Sequence, residues 1–189
     1  MATAQTAKPR TLIVQSGLKA WLTTVDHKKI GIMYILSAVF FFIAGGVLAL
    51  ILRLELAQPG VPVVSAEFYN QAFTMHGTTM IFLFIIPMFA GLGNYIVPLQ
   101  VGARDMAYPR INALSFWMIV GGALILYSSF LVGAPTAGWT GYSPLANSIF
   151  SKSAGTDMWI LGLLLIGTSS LLGAINFIVT ILNMRAPGM

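Results

Sequence analysis

His76 stands in the tetrad Met75-His76-Gly77-Thr78, inside a stretch of 36 residues, 68–103, that holds no charged side chain. An imidazole buried in so apolar a run needs a reason. It can hydrogen-bond a neighbouring helix, or its ring nitrogen can be an axial ligand to a haem iron, for which imidazole is the usual ligand. One histidine supplies one axial position, so a six-coordinate haem takes its second ligand from elsewhere. A second set of polar residues clusters near the other end of the apolar runs: Asp105 between Arg104 and Arg110, with Asn94, Asn112, Ser115, Ser169, Ser170 and Asn176 in or beside the runs, and Tyr34 above His27. Taken singly these are inter-helix hydrogen bonds, or for Asp105 a solvated carboxylate paired with Arg110. Taken together they form a column fed by one carboxylate. Asn, Ser and Tyr hold a file of waters without adding charge, which suits a proton path. Arg53 and Glu55 read as interfacial anchors, or as a donor to a cofactor and, with the Gln58-Pro59-Gly60 turn, an oxygen site for a hard cation. Trp139 reads as an aromatic-belt residue or as a wall beside a cofactor's polar edge.

The elements that must position these residues follow from composition. Of 189 residues, 57% are hydrophobic and 8% charged; soluble domains carry about 25% charged residues, so a soluble enzyme is excluded. No cysteine is present, which removes disulfides, cysteine-zinc sites, iron–sulfur clusters and thiolate nucleophiles. Charges fence off four uncharged stretches: 30–52, 68–103, 111–151 and 158–183. About 20 residues cross a bilayer. The first, second and fourth stretches each predict one crossing, and the third predicts one over 111–132 followed by a loop rich in Gly, Pro, Ser and Thr. The second is long for one upright crossing and short for two with a turn, so a tilted or protruding helix is expected.

Loop charges set a direction. Lys8, Arg10, Lys19, Lys28, Lys29, Arg104, Arg110 and Arg185 fall on one side of a four-span arrangement, and Arg53 and Lys152 on the other. The basic excess therefore reads as orientation, with both termini cytoplasmic, and not as binding to nucleic acid. The N-terminal apolar run is too long for a cleavable signal. Residues 11–24 read as a short amphipathic segment at the interface, and Asp26 as the N-cap of the first span. The chain thus divides into a cytoplasmic segment, 1–26, with an interfacial helix, and a membrane part, 27–189, with spans at about 27–55, 67–102, 110–133 and 156–185.

Several segments resemble the start of subunit I of the haem–copper terminal oxidases: Asp26-His27-Lys28-Lys29-Ile30-Gly31, Met75-His76-Gly77-Thr78-Thr79-Met80, Gly93-Asn94-Tyr95-Ile96-Val97-Pro98-Leu99, Gly102 through Arg110, Leu114-Ser115-Phe116-Trp117, Gly138-Trp139-Thr140 and Gly173-Ala174-Ile175-Asn176-Phe177. The likeness runs in order through almost everything after Thr24 and lies nearest the cytochrome c oxidase class that carries the D proton pathway. It departs at Ala113, where many members have a second asparagine, and at Tyr108, usually phenylalanine.

The resemblance implies an all-α integral membrane protein whose four helices are the first third of a twelve-helix bundle. It implies that His76 is an axial ligand of the low-spin haem A, that Arg53 bonds the haem formyl group, and that Trp139 lies near the propionates. Asp105 would be the D-pathway entrance, Asn94, Asn112, Ser115, Ser169, Ser170 and Asn176 its lining, and Tyr34 and His27 its mouth. Glu55 with Gly60 is similar to the outer Ca²⁺/Na⁺ site. The second haem and copper B belong to later spans, so the chain is expected to be part of a longer subunit and not to reduce oxygen alone. Expected partners are the remainder of subunit I, oxidase subunits II and III, cytochrome c and the lipid bilayer. The expected membrane is a bacterial plasma membrane, with the mitochondrial inner membrane as the alternative. A quinol oxidase of the same family and a four-span b-haem carrier without copper are the competing readings.

Overall fold

The structure, a computed structural model, describes residues 17–189, and these contain helices and no strand. Part of the expected interfacial segment, 11–16, lies outside the described residues, as do Lys8 and Arg10. The helices are α1 (Leu18–Leu22), α2 (His27–Glu55), α3 (Ala66–Thr78), α4 (Ile86–Gln100), α5 (Pro109–Ser128) and α6 (Ala154–Asn183). A π-helical segment, Thr79–Ile85, joins α3 to α4 without a break, giving one span of 35 residues, Ala66–Gln100. A 3₁₀ turn, Ser129–Leu131, extends α5. Four helices are thus long and apolar enough to cross a membrane. Short α1 exposes Leu18, Trp21 and Leu22.

Local chemistry explains the boundaries. The Asp26 carboxylate accepts from the Lys28 N–H at 2.8 Å and caps α2. Ser65 does the same for α3 through the Phe68 N–H at 3.2 Å. Pro109 opens α5, where a missing N–H costs nothing. Proline also shapes the second span from within. Pro87 follows the π segment, in which the Ile86 N–H reaches back five residues to the Ile81 carbonyl; the wider register relieves the crowding a proline ring brings to the turn before it. Pro98 stays inside α4. Having no N–H, it leaves the Asn94 carbonyl, four residues back, without its helical donor.

The four spans close a circuit. α2 lies along α3, the π segment and α4, and touches α5; α5 lies along α6; α6 meets α4. In a membrane such packing depends on close backbone approach. Two reciprocal glycine crossings provide it. A Cβ on Gly31 would lie 2.8 Å from the Gly91 carbonyl oxygen, and one on Gly91 would lie 2.9 Å from that of Gly31. Gly122 and Gly162 repeat the arrangement between α5 and α6 at 2.9 and 2.8 Å. Ile30, Tyr34, Leu83, Phe116, Ile119 and Ile166 fill the interior between them, while Phe40, Ile43, Leu164 and Leu171 point outward as apolar span surface.

Candidate functional site

One end of the bundle is made by the close of α2, the start of α3, the segment after α5 and the start of α6. Here His76 is partly buried on α3, and its Nδ1 lies 2.9 Å from the Gly45 carbonyl oxygen of α2. A carbonyl only accepts, so Nδ1 carries the proton and Nε2 keeps its lone pair. A Cβ on Gly45 would sit 2.8 Å from Met80 Sδ and 3.2 Å from Thr79 Cγ2, so α2 packs closely on the π segment here. Beside His76, a Cβ on Gly77 would lie 2.8 Å from Cδ1 of Trp139, so the indole rests on the glycine next to the imidazole. Trp139 remains 41% exposed, leaving a face for another group.

Three threonines hold this region to the other spans. Thr74 Oγ1 accepts from the Gly138 N–H at 2.9 Å, which pins the Trp139 segment onto α3. Thr78 Oγ1 accepts from the Trp159 indole N–H at 3.0 Å. Thr79 Oγ1 shares a 2.8 Å hydrogen bond with the Tyr127 hydroxyl. All three threonines are fully buried.

The other end gathers most of the second polar set. His27, buried at the start of α2, donates from Nδ1 to the Asn94 carbonyl at 2.8 Å, the oxygen that Pro98 leaves without a partner. Tyr34 and Ser115 hydroxyls lie 2.8 Å apart; Ser115 spends its proton on the Asn112 carbonyl, so Tyr34 is the donor. Ser169 donates to the Ser115 carbonyl. Asn176 grips the peptide at Tyr108 from both sides, accepting its N–H at 2.8 Å and donating to its carbonyl at 3.1 Å. Thr180 accepts from the Ala107 N–H at 2.9 Å. The segment carrying Asp105 is therefore clamped to the end of α6 through its backbone, which makes Tyr108 in place of phenylalanine immaterial to the clamp. Asp105 is partly exposed, and its Oδ1 accepts from the Met106 N–H at 2.8 Å.

Two amides here are not used up by the protein. Asn112, fully buried, has no hydrogen-bond partner at either side-chain atom, and Asn94 has none at Oδ1. Asn94 lines a cavity of about 280 Å³ to which all four spans contribute, including Tyr34, Ile119, Ser169 and Ser170. It opens beside Phe89 and Ser170, both exposed.

Residues 29–189 match the family model described as cytochrome c and quinol oxidase polypeptide I. The chain belongs to that family. It is 52% identical over 171 residues to a probable cytochrome c oxidase subunit 1-alpha of Streptomyces avermitilis, covering 89% of this chain and 30% of that protein. Cytochrome c oxidase subunit 1 of Synechocystis sp. is 54% identical over 165 residues, 87% of this chain and 30% of the relative. That of Bacillus subtilis is 52% identical over 170 residues, 89% and 27%. The chain thus spans about 30% of the length of the curated relatives it matches.

Against this oxidase background, the remaining sequence-predicted residues fall apart from His76. Arg53 is exposed in the last turn of α2, eight residues beyond Gly45, which is about 12 Å of helical rise. Glu55 Oε2 accepts from the Val63 and Val64 N–H groups at 2.7 and 2.9 Å, closing the loop whose exposed tip includes Gly60 at φ +76°. The bonds of Glu55 run past Gly60 to the far side of the loop. Sequence reasoning missed Thr74, Thr78, Thr79, Tyr127, Trp159 and Thr180. A signal existed for the first three: hydroxyls at i, i+4 and i+5 flank the one histidine of an apolar span.

Proposed function

We propose that this chain is the N-terminal part of the catalytic subunit of a terminal respiratory oxidase. The whole subunit would pass electrons from cytochrome c to O₂, reducing it to water, and couple this to proton pumping. The observation that carries the reading is the His76–Gly45 hydrogen bond, because it fixes the tautomer that presents a lone pair on Nε2, the form in which histidine binds iron. His76 would hold a low-spin haem A, Trp139 would lie along the propionate edge, and Arg53 would bond the formyl group from the end of α2. Such a haem supplies one-electron transfer when bound. What the chain's own residues do is fix the imidazole through Gly45 and keep the span behind it rigid through Thr78 and Thr79.

At the other end, Asp105 would take up protons and the polar column would deliver them. Support comes from the spare capacity of Asn94 and Asn112 and the cavity between Tyr34, Asn94 and Ser169. Leaving a buried amide unpaired costs about 1–3 kcal/mol. Waters admitted to these amides would meet that need, and waters in the cavity beside Asn94 would form part of the file a proton requires. The cavity's open side beside Phe89 and Ser170 would be closed by the remainder of subunit I. Glu55 and Gly60 are proposed as the residues that would hold a Ca²⁺ or Na⁺ ion, Glu55 also closing the loop through Oε2.

The loop charges support an orientation with the His27 and Asp105 end cytoplasmic, in a bacterial plasma membrane, with oxidase subunits II and III as neighbours. A reduced-minus-oxidised optical spectrum of the native complex, with a pyridine haemochrome assay, tests the reading. Haem A is expected. Haem B alone would remove the Arg53–formyl role and favour a quinol oxidase, and absence of haem would return His76 to plain helix packing.

A further inference from the structure

The crossing of α2 over α4 is held at two points one helical turn apart. At the first, Gly31 and Gly91 bring the two backbones together. At the second, His27 donates from Nδ1 to the Asn94 carbonyl at 2.8 Å, with His27 3% and Asn94 2% exposed. His27 lies one turn before Gly31 and Asn94 one turn after Gly91, so both contacts fall on the same seam. The carbonyl that His27 meets is one that Pro98, with no N–H, cannot serve. A buried carbonyl without a donor is costly. The imidazole therefore stands in for the missing helical N–H, and it comes from another span.

The Asn94 side chain is held from the other direction, its Nδ2 donating to the Ala90 carbonyl at 2.8 Å. That leaves Oδ1, which has no hydrogen-bond partner among the described residues. Asn94 also lines, with Tyr34, Ser169 and Ser170, the cavity of the polar column. The place of this amide in the column thus depends on where His27 holds the Asn94 peptide. The same bond bears on what His27 can carry. A histidine relays a proton by taking one on one ring nitrogen and releasing one from the other. Here the Nδ1 proton faces a peptide carbonyl, which accepts a hydrogen bond and passes nothing on. Relay through the ring into the column is closed.

We infer that His27 is a positioning residue of the proton column and not a carrier in it: its Nδ1–H replaces the N–H that Pro98 withholds and so fixes Asn94. The inference rests on the proton-column reading above and changes the part His27 plays in it.

The test is a double-variant cycle in the intact oxidase complex. It is read by turnover at an oxygen electrode, the pH profile of that turnover, the haem spectrum and thermal unfolding in detergent. His27→Leu removes the donor and is expected to slow turnover about tenfold with the haem spectrum unchanged, a modest share of what misplacing a working group can cost. Pro98→Ala gives residue 98 an N–H four residues beyond the Asn94 carbonyl. In His27→Leu/Pro98→Ala that N–H takes the carbonyl, so turnover and thermal midpoint should both return to those of Pro98→Ala alone. His27→Asn carries an N–H donor the same number of bonds from the backbone as Nδ1 but cannot titrate. It should recover most of the turnover that His27→Leu loses, with the wild-type pH profile. A double variant as slow as His27→Leu would overturn the proposal. So would a His27→Asn enzyme as slow as His27→Leu, since the titrating ring would then be the working part. Should His27→Leu fail to assemble, assembly restored by Pro98→Ala supports the pairing and continued failure overturns it. Asn94→Leu keeps the two failures apart. A slow Asn94→Leu beside a normal His27→Leu would overturn the positioning role alone, whereas normal turnover in Asn94→Leu would overturn the column itself.

Discussion

The two ends of this bundle treat their buried polar groups differently. Around His76, the Thr74, Thr78, Thr79, Tyr127 and Trp159 side chains are all hydrogen-bonded across to another segment, and the imidazole is braced by Gly45. Around Tyr34 and Ser115, a short chain of hydroxyls ends on the Asn112 carbonyl while the Asn112 amide itself, and half of the Asn94 amide, are left over. A ligand that must hold one orientation needs every neighbour satisfied. A route that must pass protons needs spare donors and acceptors for mobile water, and a fully satisfied network would block it. Under the proposed roles, leftover hydrogen-bond capacity, more than polarity itself, is what separates the fixed site from the conducting one.

Removing the proposed haem ligand should have the largest effect. His76→Ala is expected to abolish the low-spin haem signal in the optical spectrum of the purified complex, while the span still inserts. A persisting signal would falsify ligation by His76 and reduce its bond to Gly45 to helix packing. Both readings of His76, helix packing and haem ligation, are compatible with that bond. Only this variant separates them.

At the end proposed to conduct protons the spectrum should stay normal while flux falls. Asp105→Asn keeps the backbone clamp from Asn176 and Thr180, because that clamp does not use the carboxylate. Turnover and proton release are expected to drop on the order of a hundredfold, the usual scale for losing a proton-transfer group. Unchanged turnover in an oxygen-electrode assay would take proton uptake away from Asp105.

Two asparagines then sharpen the comparison within one end. Asn176 makes two hydrogen bonds to the Tyr108 peptide, whereas the Asn112 side chain makes none to the protein. Asn176→Leu strands the Tyr108 N–H, while the Tyr108 carbonyl keeps the Asn112 N–H, and should cost about 1–3 kcal/mol. Asn112→Leu removes an amide with nothing to lose to the protein, and should cost less than about 1 kcal/mol while slowing proton delivery. Thermal unfolding in detergent measures the first contrast and turnover the second. Equal destabilisation would mean that the two amides are held alike and that the distinction between fixed and spare groups fails here.

Much of this was legible in the sequence. Charge-free runs gave four spans, and one histidine and one carboxylate marked the two ends, because ionisable groups in apolar runs are rare enough to be informative. What could not be read was pairing. Pro98 announces an unpaired Asn94 carbonyl, yet that His27, 67 residues away, takes it depends on how α2 lies across α4. Glu55 and Gly60 share a loop in the sequence, but the loop closes on Val63 and Val64. The threonines around His76 look like ordinary span residues, since a hydroxyl that bonds within its own helix hides in an apolar pattern. The π segment was likewise invisible: the excess length of the second stretch suggested tilt, and part of the explanation is Pro87, which widens the turn before it.

The smallest effect probes that segment. Tyr127 OH and Thr79 Oγ1 meet at 2.8 Å across α5 and the first π residue, three positions past His76. Tyr127→Phe deletes one partly buried hydrogen bond and should cost about 1 kcal/mol in thermal stability. Trp159→Phe, which removes the indole donor to Thr78 one residue earlier, serves as its companion. Thr78 still bonds the Thr74 carbonyl within its helix, whereas Thr79 has only Tyr127 outside its own backbone. If cross-span bracing sets the imidazole, Tyr127→Phe should therefore shift the low-spin haem band and its midpoint potential more than Trp159→Phe at equal stability loss. Equal or absent shifts would place the control of His76 in its bond to Gly45 alone.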